Sequence, residues 1–215
     1  MKRGLAILAR RPLAVAGALL VLAHLALAFL APWIVPHDPM ALVAAPLEPP
    51  GAEHRFGTDE LGRDFLSRVL MGGRVAIAVA FSAGLVAALG GGLVGLSAAY
   101  YRGTFDDVVS RLVELKLAIP SILFVALFVT GFGQSIGVLI VVISIIKMMG
   151  AIRTTRALGI QLMVSGYVRA AQLRGEGGPA IILRELLPNA ADLLTVEFAL
   201  RSSSGLLLVS ALSFL

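Results

Sequence analysis

Residues 165–194 read SGYVRAAQLRGEGGPAIILRELLPNAADLL and form the only long polar interval between strongly apolar segments in the second half of the chain. The interval carries Arg169, Arg174 and Arg184 and ends in a Leu-Pro-Asn breaker. Basic residues concentrate in the cytoplasmic loops of membrane proteins. We therefore interpret the interval as a cytoplasmic loop that docks a partner protein.

Small residues and helix breakers divide this loop. Ala170 and Ala171 give a smooth helical face that a neighbour can approach closely. Gly175 allows a tight turn without a Cβ clash, and Pro188, which follows Leu187, starts the next helix where no N–H is missed. The alternative is a solvated connector that is attracted to anionic lipid headgroups.

The composition excludes a soluble monomer. Of the 215 residues, 58% are hydrophobic and 14% are charged, whereas soluble domains carry roughly 25% charged residues. The chain is therefore predicted to be an all-α integral membrane protein. Its net charge of +5 comes from basic residues beside apolar segments rather than from one run, which favours membrane topology over nucleic-acid binding.

Cysteine and histidine usage narrows the chemistry. The chain has no cysteine, which excludes a disulfide framework, a thiolate metal site and a cysteine nucleophile. The histidines are His24, His37 and His54, and none forms an H-x-x-x-H pair. We therefore expect no metal site, and His24 is expected to be a packed or lipid-facing residue.

The first quarter of the chain predicts a basic tail, a membrane helix and an external segment. Residues 1–12 carry four basic residues and precede an apolar run over 13–35, which predicts a first transmembrane helix with a cytoplasmic N-terminus. A signal peptide is the alternative, but the run exceeds the roughly 7–15 residues of a signal h-region. Residues 36–74 are polar and proline-rich and are assigned to the outside.

The external segment contains the sequence FGTDELGRDFLSRVLMGGR from residue 56. Its apolar residues recur near helical spacing, which predicts an amphipathic helix. Asp59, Glu60 and Asp64 could form a carboxylate cluster. Local ion pairing with the arginines, and capping by Thr58 or Asp59, is the favoured role.

Further apolar segments bring the total to about five transmembrane helices: 75–100, 108–133, 136–146 and 190–215. Gly84, Gly91 and Gly95 in the second segment are expected to let helix backbones approach closely. Pro120 is expected to kink or delay the third helix. The cytoplasmic turn 100–107 joins the second and third segments, and the cytoplasmic loop is placed at 151–190.

Two charged pairs lie near or within the spans. Arg111 and Glu114 share a helical face near the cytoplasmic end of the third segment. Glu197 and Arg201 are four residues apart in the fifth, and ionisable residues at membrane depth are functional candidates by default. We weigh a structural salt bridge against a substrate contact for this second pair, with the salt bridge favoured.

Two motifs resemble those of permeases in ATP-binding-cassette importers, specifically the dipeptide, oligopeptide and nickel importer family. The first is similar to the Gly-Thr-Asp-x-x-Gly-Arg-Asp-x-x-Ser-Arg signature, and its matching positions are Gly57, Thr58, Asp59, Gly62, Arg63, Asp64, Ser67 and Arg68. The second resembles the family's Glu-Ala-Ala loop, and its positions are Arg169, Ala170, Ala171, Gly175, Leu187 and Pro188. The similarity extends over roughly residues 10–215.

The resemblance implies a type I importer membrane domain with its permease core at 75–215. It implies a multi-pass subunit of the bacterial inner membrane that pairs with a second homologous permease, cytoplasmic ATPase subunits and an external substrate-binding protein, surrounded by lipid and without nucleic acid. Peptides would be moved by alternating access, and nickel or another small solute is the alternative. Family members have a sixth helix, so we expect a C-terminally truncated chain.

The sequence predicts that ATP is hydrolysed by another chain. It has no G-x-x-x-x-G-K-[ST] run, so we expect a non-enzymatic subunit without a bound cofactor, and ATP hydrolysed by the partner subunits. A stand-alone secondary transporter would need coupling carboxylates, for which only Glu197 qualifies. An intramembrane serine protease would need His24 to reach the serines of 202–204.

Two positions depart from the family pattern. Arg169 stands where the family has glutamate, and Glu185 stands where it has an apolar residue three positions before Pro188. Both substitutions bear on whether the loop contacts an ATPase in the family's usual manner.

Overall fold

The computed structural model describes residues 12–133 and 135–212. Within these ranges the regular structure is helical, apart from an isolated bridge between Thr58 and Asp64. The expected basic tail, apart from Pro12, lies outside the described residues. The all-α fold agrees with the prediction from composition.

Helix α1 comprises Pro12–Ile34. It carries no charged residue, and its 23 residues span about 34 Å at 1.5 Å per residue, enough for a bilayer core of roughly 30 Å. Most of its side chains are exposed. His24 is among them and bonds only locally, with its Nδ1 2.8 Å from the Leu20 carbonyl oxygen.

The helix predicted from residue 56 begins only at Phe65, so the prediction was wrong for its first part. Gly57 and Gly62 have φ values of 72° and 77°, in the left-handed region that L side chains rarely adopt. A Cβ at either glycine would collide with a backbone carbonyl oxygen, that of Glu48 or Ala44 respectively. The segment before Phe65 is therefore a folded loop.

Asp64 caps the helix that follows, rather than Thr58 or Asp59 as predicted. Its Oδ2 accepts a hydrogen bond of 2.8 Å from the backbone N–H of Ser67, the usual N-cap geometry. This helix, α2, runs over Phe65–Tyr101. Its 37 residues span about 55 Å, so it extends beyond the hydrocarbon core.

Helix α3 (Gly103–Leu117) follows almost at once. The expected turn at 100–107 is reduced to Arg102 and Gly103, whose φ values are 52° and 54°. Helix α4 (Ser121–Phe132) is bent by 89° from α3. The expected kink at Pro120 is thus a full break, because proline disfavours a helical conformation in the residue before it and offers no N–H.

Helix α5 comprises Ile136–Leu162 and is much longer than the predicted segment 136–146. The basic residues Lys147, Arg153 and Arg156 do not end it, because lysine and arginine are good helix formers and long basic side chains can reach polar surroundings near a membrane surface. The loop predicted at 151–190 therefore begins only after Leu162.

The last long helix is α9, Ala191–Leu212. Helices α1, α2, α5 and α9 are each long and apolar enough to cross a membrane, and α3 with α4 gives a fifth span if the bent pair is counted as one. This agrees with the prediction of about five spans.

Glycines bring α2 against α5 and α9, as predicted for Gly84, Gly91 and Gly95. A Cβ at Gly95 would lie 2.6 Å from the Ile152 carbonyl oxygen, closer than real Cβ atoms approach. Thr155 stands opposite, and its Oγ1 donates a 3.1 Å hydrogen bond to the Gly91 carbonyl oxygen.

Gly95→Ala tests this close approach. The new methyl would overpack the α2–α5 contact, which costs about 1–3 kcal/mol, so the apparent Tm of the detergent-purified protein should fall. Gly72→Ala is the matched control on the same helix, because no atom lies within 4 Å of the added Cβ. Equal Tm values for the two variants would contradict the close approach.

Candidate functional site

The polar loop between α5 and α9, residues 163–190, consists of short helical pieces. They are α6 (Gly166–Leu173), α7 (Gly178–Ile181), a π-helical turn (Ile182–Leu186) and α8 (Leu187–Asn189). We call residues 163–190 the interhelical loop.

Helix α6 has one buried face and one exposed face. Val168 and Ala171 are fully buried, whereas Arg169, Ala170 and Leu173 are exposed. The Ala170-Ala171 pair predicted from sequence is thus divided between the two faces. One alanine permits close internal packing, and the other lies beside an arginine and a leucine on the outer surface.

Gly175 ends α6 with a φ of 77°. The Glu176 N–H donates to the Ala171 carbonyl oxygen at 3.2 Å and the Gly175 N–H to that of Gln172 at 3.0 Å, so the free carbonyls of the helix end are satisfied. No atom lies within 4 Å of a Cβ built at Gly175. Glycine is therefore favoured here by backbone conformation, not by crowding.

Pro188 lies in the first turn of α8, and the helical path from Gly178 continues into it without a break. The π-helical turn before it widens the backbone, with the Leu187 N–H bonded to the Ile182 carbonyl oxygen. The side chain of Asn189 donates to the Glu185 carbonyl oxygen at 2.7 Å. The Leu-Pro-Asn sequence is thus a bulged helix with its own side-chain cap.

Glu185, one of the two departures from the family pattern, has a partner within the loop. Its carboxylate lies 3.7 Å from Arg174 Nη2, which also pairs with Glu176 at 2.6 Å. These pairs connect the turn after α6 to the π-helical turn. The negative charge of Glu185 is therefore paired with an arginine of the same chain.

The interhelical loop is anchored to α2 and α9 by an apolar cluster. Its buried members are Leu96, Val168, Ala171, Ile181, Ile182, Leu186, Ala190 and Leu194. Leu96 belongs to α2 and Leu194 to α9, so two long helices pack against the buried face of the loop. A force applied to its exposed face would therefore reach both helices.

Glu197 and Arg201 form a buried ion pair one turn further along α9. Glu197 is 2% exposed, and its Oε2 accepts from Arg201 Nε at 2.7 Å and Nη2 at 2.6 Å. Thr154 Oγ1 on α5 donates to Oε1 at 2.8 Å. Both carboxylate oxygens are satisfied, and the pair ties α9 to α5.

Two lysines to which the sequence assigned no role lie in helices that could cross a membrane. Lys116 is buried, and its Nζ lies 3.3 Å from Ser121 Oγ across the break between α3 and α4. Lys147 lies on α5 three residues before Gly150, where an added Cβ would collide with the Arg201 guanidinium. For Lys147, a single basic residue within an apolar run was the sequence signal.

The predicted pair of Arg111 and Glu114 is weaker. Its atoms are 3.5 Å apart, and the side chains are 81% and 68% exposed. An exposed pair of this kind contributes about 0–1 kcal/mol. Its residues are three positions apart, against four for the Glu197–Arg201 pair, and it lacks the burial of that pair.

Asp59 organises the Gly-Thr-Asp signature within residues 36–74, the segment that was assigned to the outside from its sequence and is named the external segment. Its Oδ1 accepts from the backbone N–H of Leu61 and Arg63, both at 2.9 Å, and its Oδ2 pairs with Arg63 Nε at 2.8 Å and with Arg68. Burial acts to raise the Asp59 pKa, but these donors outweigh it and hold the pKa well below its usual range. The predicted local ion pairing is confirmed.

The rest of the signature also folds the external segment. Thr58 Oγ1 donates to the Ala45 carbonyl oxygen at 2.7 Å and accepts from the Glu48 N–H at 2.9 Å. Glu60 is exposed, and no cluster of three carboxylates forms among the described residues.

Asp64 is fully buried and accepts from Ser67 Oγ at 2.6 Å. Burial acts to raise its pKa, whereas hydrogen bonds from Ser67 and His54 lower it, and the net shift is downward. His37 and His54 both face this carboxylate, and the potential ligand atoms of the three residues lie within 4.8 Å of one another. Histidines at helical spacing, the pattern considered from the sequence, do not reveal this group, because its three residues are far apart in the chain.

Comparison with known proteins gives two family matches in different parts of the chain. Residues 91–215 match the model of the binding-protein-dependent transport system inner membrane component family, and residues 1–50 match the N-terminal TM domain of oligopeptide transport permease C. A putative peptide transport system permease protein of Brucella suis is 34% identical over 93% of this chain and 67% of its own length.

Other relatives carry similar descriptions. The probable D,D-dipeptide transport system permease protein of Escherichia coli is 31% identical over 95% of this chain and 69% of its own length. The dipeptide transport system permease protein of Bacillus subtilis is 33% identical over 97% and 65% respectively.

The buried pair yields a stability prediction. Arg201→Met leaves Glu197 buried without its cation, and breaking a buried pair in this way costs about 3–5 kcal/mol. We expect a lower apparent Tm by circular dichroism in detergent. The double variant with Glu197→Gln should recover much of the loss, because the uncompensated charge is gone.

Arg111→Met is the matched control for this experiment. It removes the cation of an exposed pair with nearly the same spacing, and the Tm should remain within error of the wild type. A Tm loss for Arg111→Met equal to that for Arg201→Met would contradict the importance of burial.

Proposed function

The chain belongs to the family of binding-protein-dependent transport system inner membrane components, and from this premise we propose that it is a permease subunit of an ATP-binding-cassette importer for di- or oligopeptides. The observation that carries the proposal is the interhelical loop. It presents one helical face outward while its other face is packed on membrane-crossing helices.

The loop has the mechanical properties of a coupling element. Val168 and Ala171 attach the buried face of α6 to the apolar cluster. Ile181 and Leu186 attach the second half of the loop to the same cluster. Protein interiors pack densely and resist deformation. A partner that displaces α6 would therefore move the loop together with the ends of α2 and α9, as alternating access requires.

Energy would come from other subunits. The 215 residues contain no G-x-x-x-x-G-K-[ST] run, the loop that cradles nucleotide phosphates. ATP would be hydrolysed by cytoplasmic ATPase subunits that contact the interhelical loop. A second homologous permease and an external substrate-binding protein would complete the importer, within the lipid of the inner membrane and with the N-terminus of this chain in the cytoplasm.

The substrate class rests on the relatives. Those from Escherichia coli and Bacillus subtilis are described as dipeptide transport permeases, and the family model that matches the N-terminal residues is that of an oligopeptide permease. Peptides are therefore favoured over nickel or another small solute. The separate binding protein is expected to select the individual peptide.

Gentle detergent purification from the native membrane, followed by mass spectrometry, tests this proposal. We expect to recover a P-loop ATPase and a second permease with this chain. Gly175→Val should reduce that recovery several-fold, because a β-branched residue is strained at φ 77° and would disturb the turn after α6.

Gly166→Val is the control for Gly175→Val. It lies in the same loop, has no atom within 4 Å of its added Cβ, and should leave recovery of the partners unchanged. If the wild-type chain is recovered alone from intact membranes, the importer assignment is contradicted. If the two variants behave alike, the role of the Gly175 turn is contradicted.

Arg169 is the remaining departure from the family pattern. Its side chain is exposed on α6, and no ion pair joins it to another residue within 12–133 or 135–212. It is therefore available to a partner. Glu185, the other departure, is already paired with Arg174 inside the loop.

Arg169→Glu restores the residue that the family carries at this position. If the ATPase groove is of the usual kind, the reconstituted importer should retain or raise its substrate-stimulated ATP hydrolysis. Arg184→Glu, also exposed on the loop, controls for charge reversal in general. A sharp loss specific to Arg169→Glu would contradict the expectation and indicate an acidic partner residue.

A further inference from the structure

Three potential metal ligands from separate parts of the external segment converge on one point. They are His37, shortly after α1, His54, in the middle of the segment, and Asp64, the N-cap of α2. The Nδ1 atom of His54 lies 3.0 Å from Asp64 Oδ1, and that of His37 lies 3.9 Å from the same oxygen. The two imidazole ring centroids are 4.9 Å apart.

We propose that His37, His54 and Asp64 bind a zinc ion or a similar late first-row divalent cation, with the fourth coordination position left to water. The ligands would be the Nδ1 atoms of the two histidines and Oδ1 of the aspartate. This site is independent of the proposed transport function.

The distances suit a tetrahedral ion. Zinc–nitrogen and zinc–oxygen bonds of about 2.0–2.2 Å place neighbouring ligand atoms roughly 3.3–3.6 Å apart. The separations of 3.0 and 3.9 Å lie on either side of that range. Side-chain shifts of roughly half an ångström would bring these two separations into that range.

One ligand atom has no hydrogen-bond partner. His37 Nδ1 is buried and has no hydrogen-bond partner among the described residues, and a buried polar atom without such a partner is destabilising. The residues His54 and Asp64 are themselves 7% and 0% exposed. A cation between the three side chains would satisfy the free nitrogen and complete the group.

Supporting hydrogen bonds leave the ligand oxygen of Asp64 in place. Ser67 donates to Asp64 Oδ2 through both its backbone N–H (2.8 Å) and its hydroxyl (2.6 Å), so Oδ1 faces the histidines. The Ser67 hydroxyl oxygen also accepts from the backbone N–H of His37 at 3.2 Å. Outer hydrogen bonds of this kind orient ligands in metal sites.

The ligand set indicates the class of cation. Imidazole nitrogen suits zinc, copper, iron and nickel, whereas magnesium and calcium prefer oxygen ligands throughout. An ion bound here would tie the chain after α1 to the start of α2. Its effect would be to stabilise the external segment.

Metal titration of the full-length protein in detergent tests the site. After treatment with EDTA and dialysis, we expect one saturable Zn²⁺ site by calorimetry, a raised Tm with Zn²⁺ but not with Mg²⁺, and visible d–d absorption when Co²⁺ is used. Absence of saturable Zn²⁺ and Co²⁺ binding by the folded wild-type protein would overturn the proposal.

Histidine variants locate the ion. His37→Gln removes one ligand while leaving the hydrogen bonds among His54, Asp64 and Ser67, and should weaken Zn²⁺ binding by at least about 100-fold, the upper end of losses seen when only an outer partner is removed. His24→Gln is the control, because His24 lies on α1 and bonds locally. Equal Zn²⁺ affinity for His37→Gln and wild type, both folded by circular dichroism, would overturn the assignment.

Discussion

The close contact of α2 with α5 and α9 is the constraint on which the packing of these helices and of the interhelical loop depends. Lipid offers no hydrophobic drive for helix association, so small residues must let the backbones approach. Gly91 and Gly95 do so against α5, and Gly84 against Ser202 of α9. This arrangement brings Thr154 within 2.8 Å of Glu197, and it positions Leu96 and Leu194 under the interhelical loop.

The two motifs that support the family resemblance act through different physical means. The signature folds the external segment: its glycines take left-handed conformations, and Asp59 and Asp64 collect backbone and side-chain donors. The interhelical loop instead combines a buried face with an exposed one. A pattern of residues in the sequence could identify both motifs. Only the contacts show that the first holds a folded loop and that the second leaves one face of α6 exposed.

Sequence reasoning predicted the all-α class, the apolar spans and the packing glycines, because each depends on local composition. It failed where basic residues were taken as the end of a helix, and where tertiary contacts decide the structure. Basic residues do not stop a helix, so α5 continued past Lys147. The carbonyls of Ala44 and Glu48 enforce the loop at Gly57 and Gly62, and neither was visible in the helical spacing. The approach of His37 to His54 depends on how 16 intervening residues fold.

A mechanical path from the interhelical loop into the membrane follows from the positions along α9. Leu194 belongs to the apolar cluster that holds the loop, and Glu197 follows it by less than one helical turn. A displacement of the loop would therefore reach the Glu197–Arg201 pair and, through Thr154, the middle of α5. A buried pair is costly to separate, so α5 and α9 should move as one body. In the proposed importer, the movements of alternating access would then occur at other helix contacts. The 89° break between α3 and α4 is one candidate, because it is the least continuous part of the described spans.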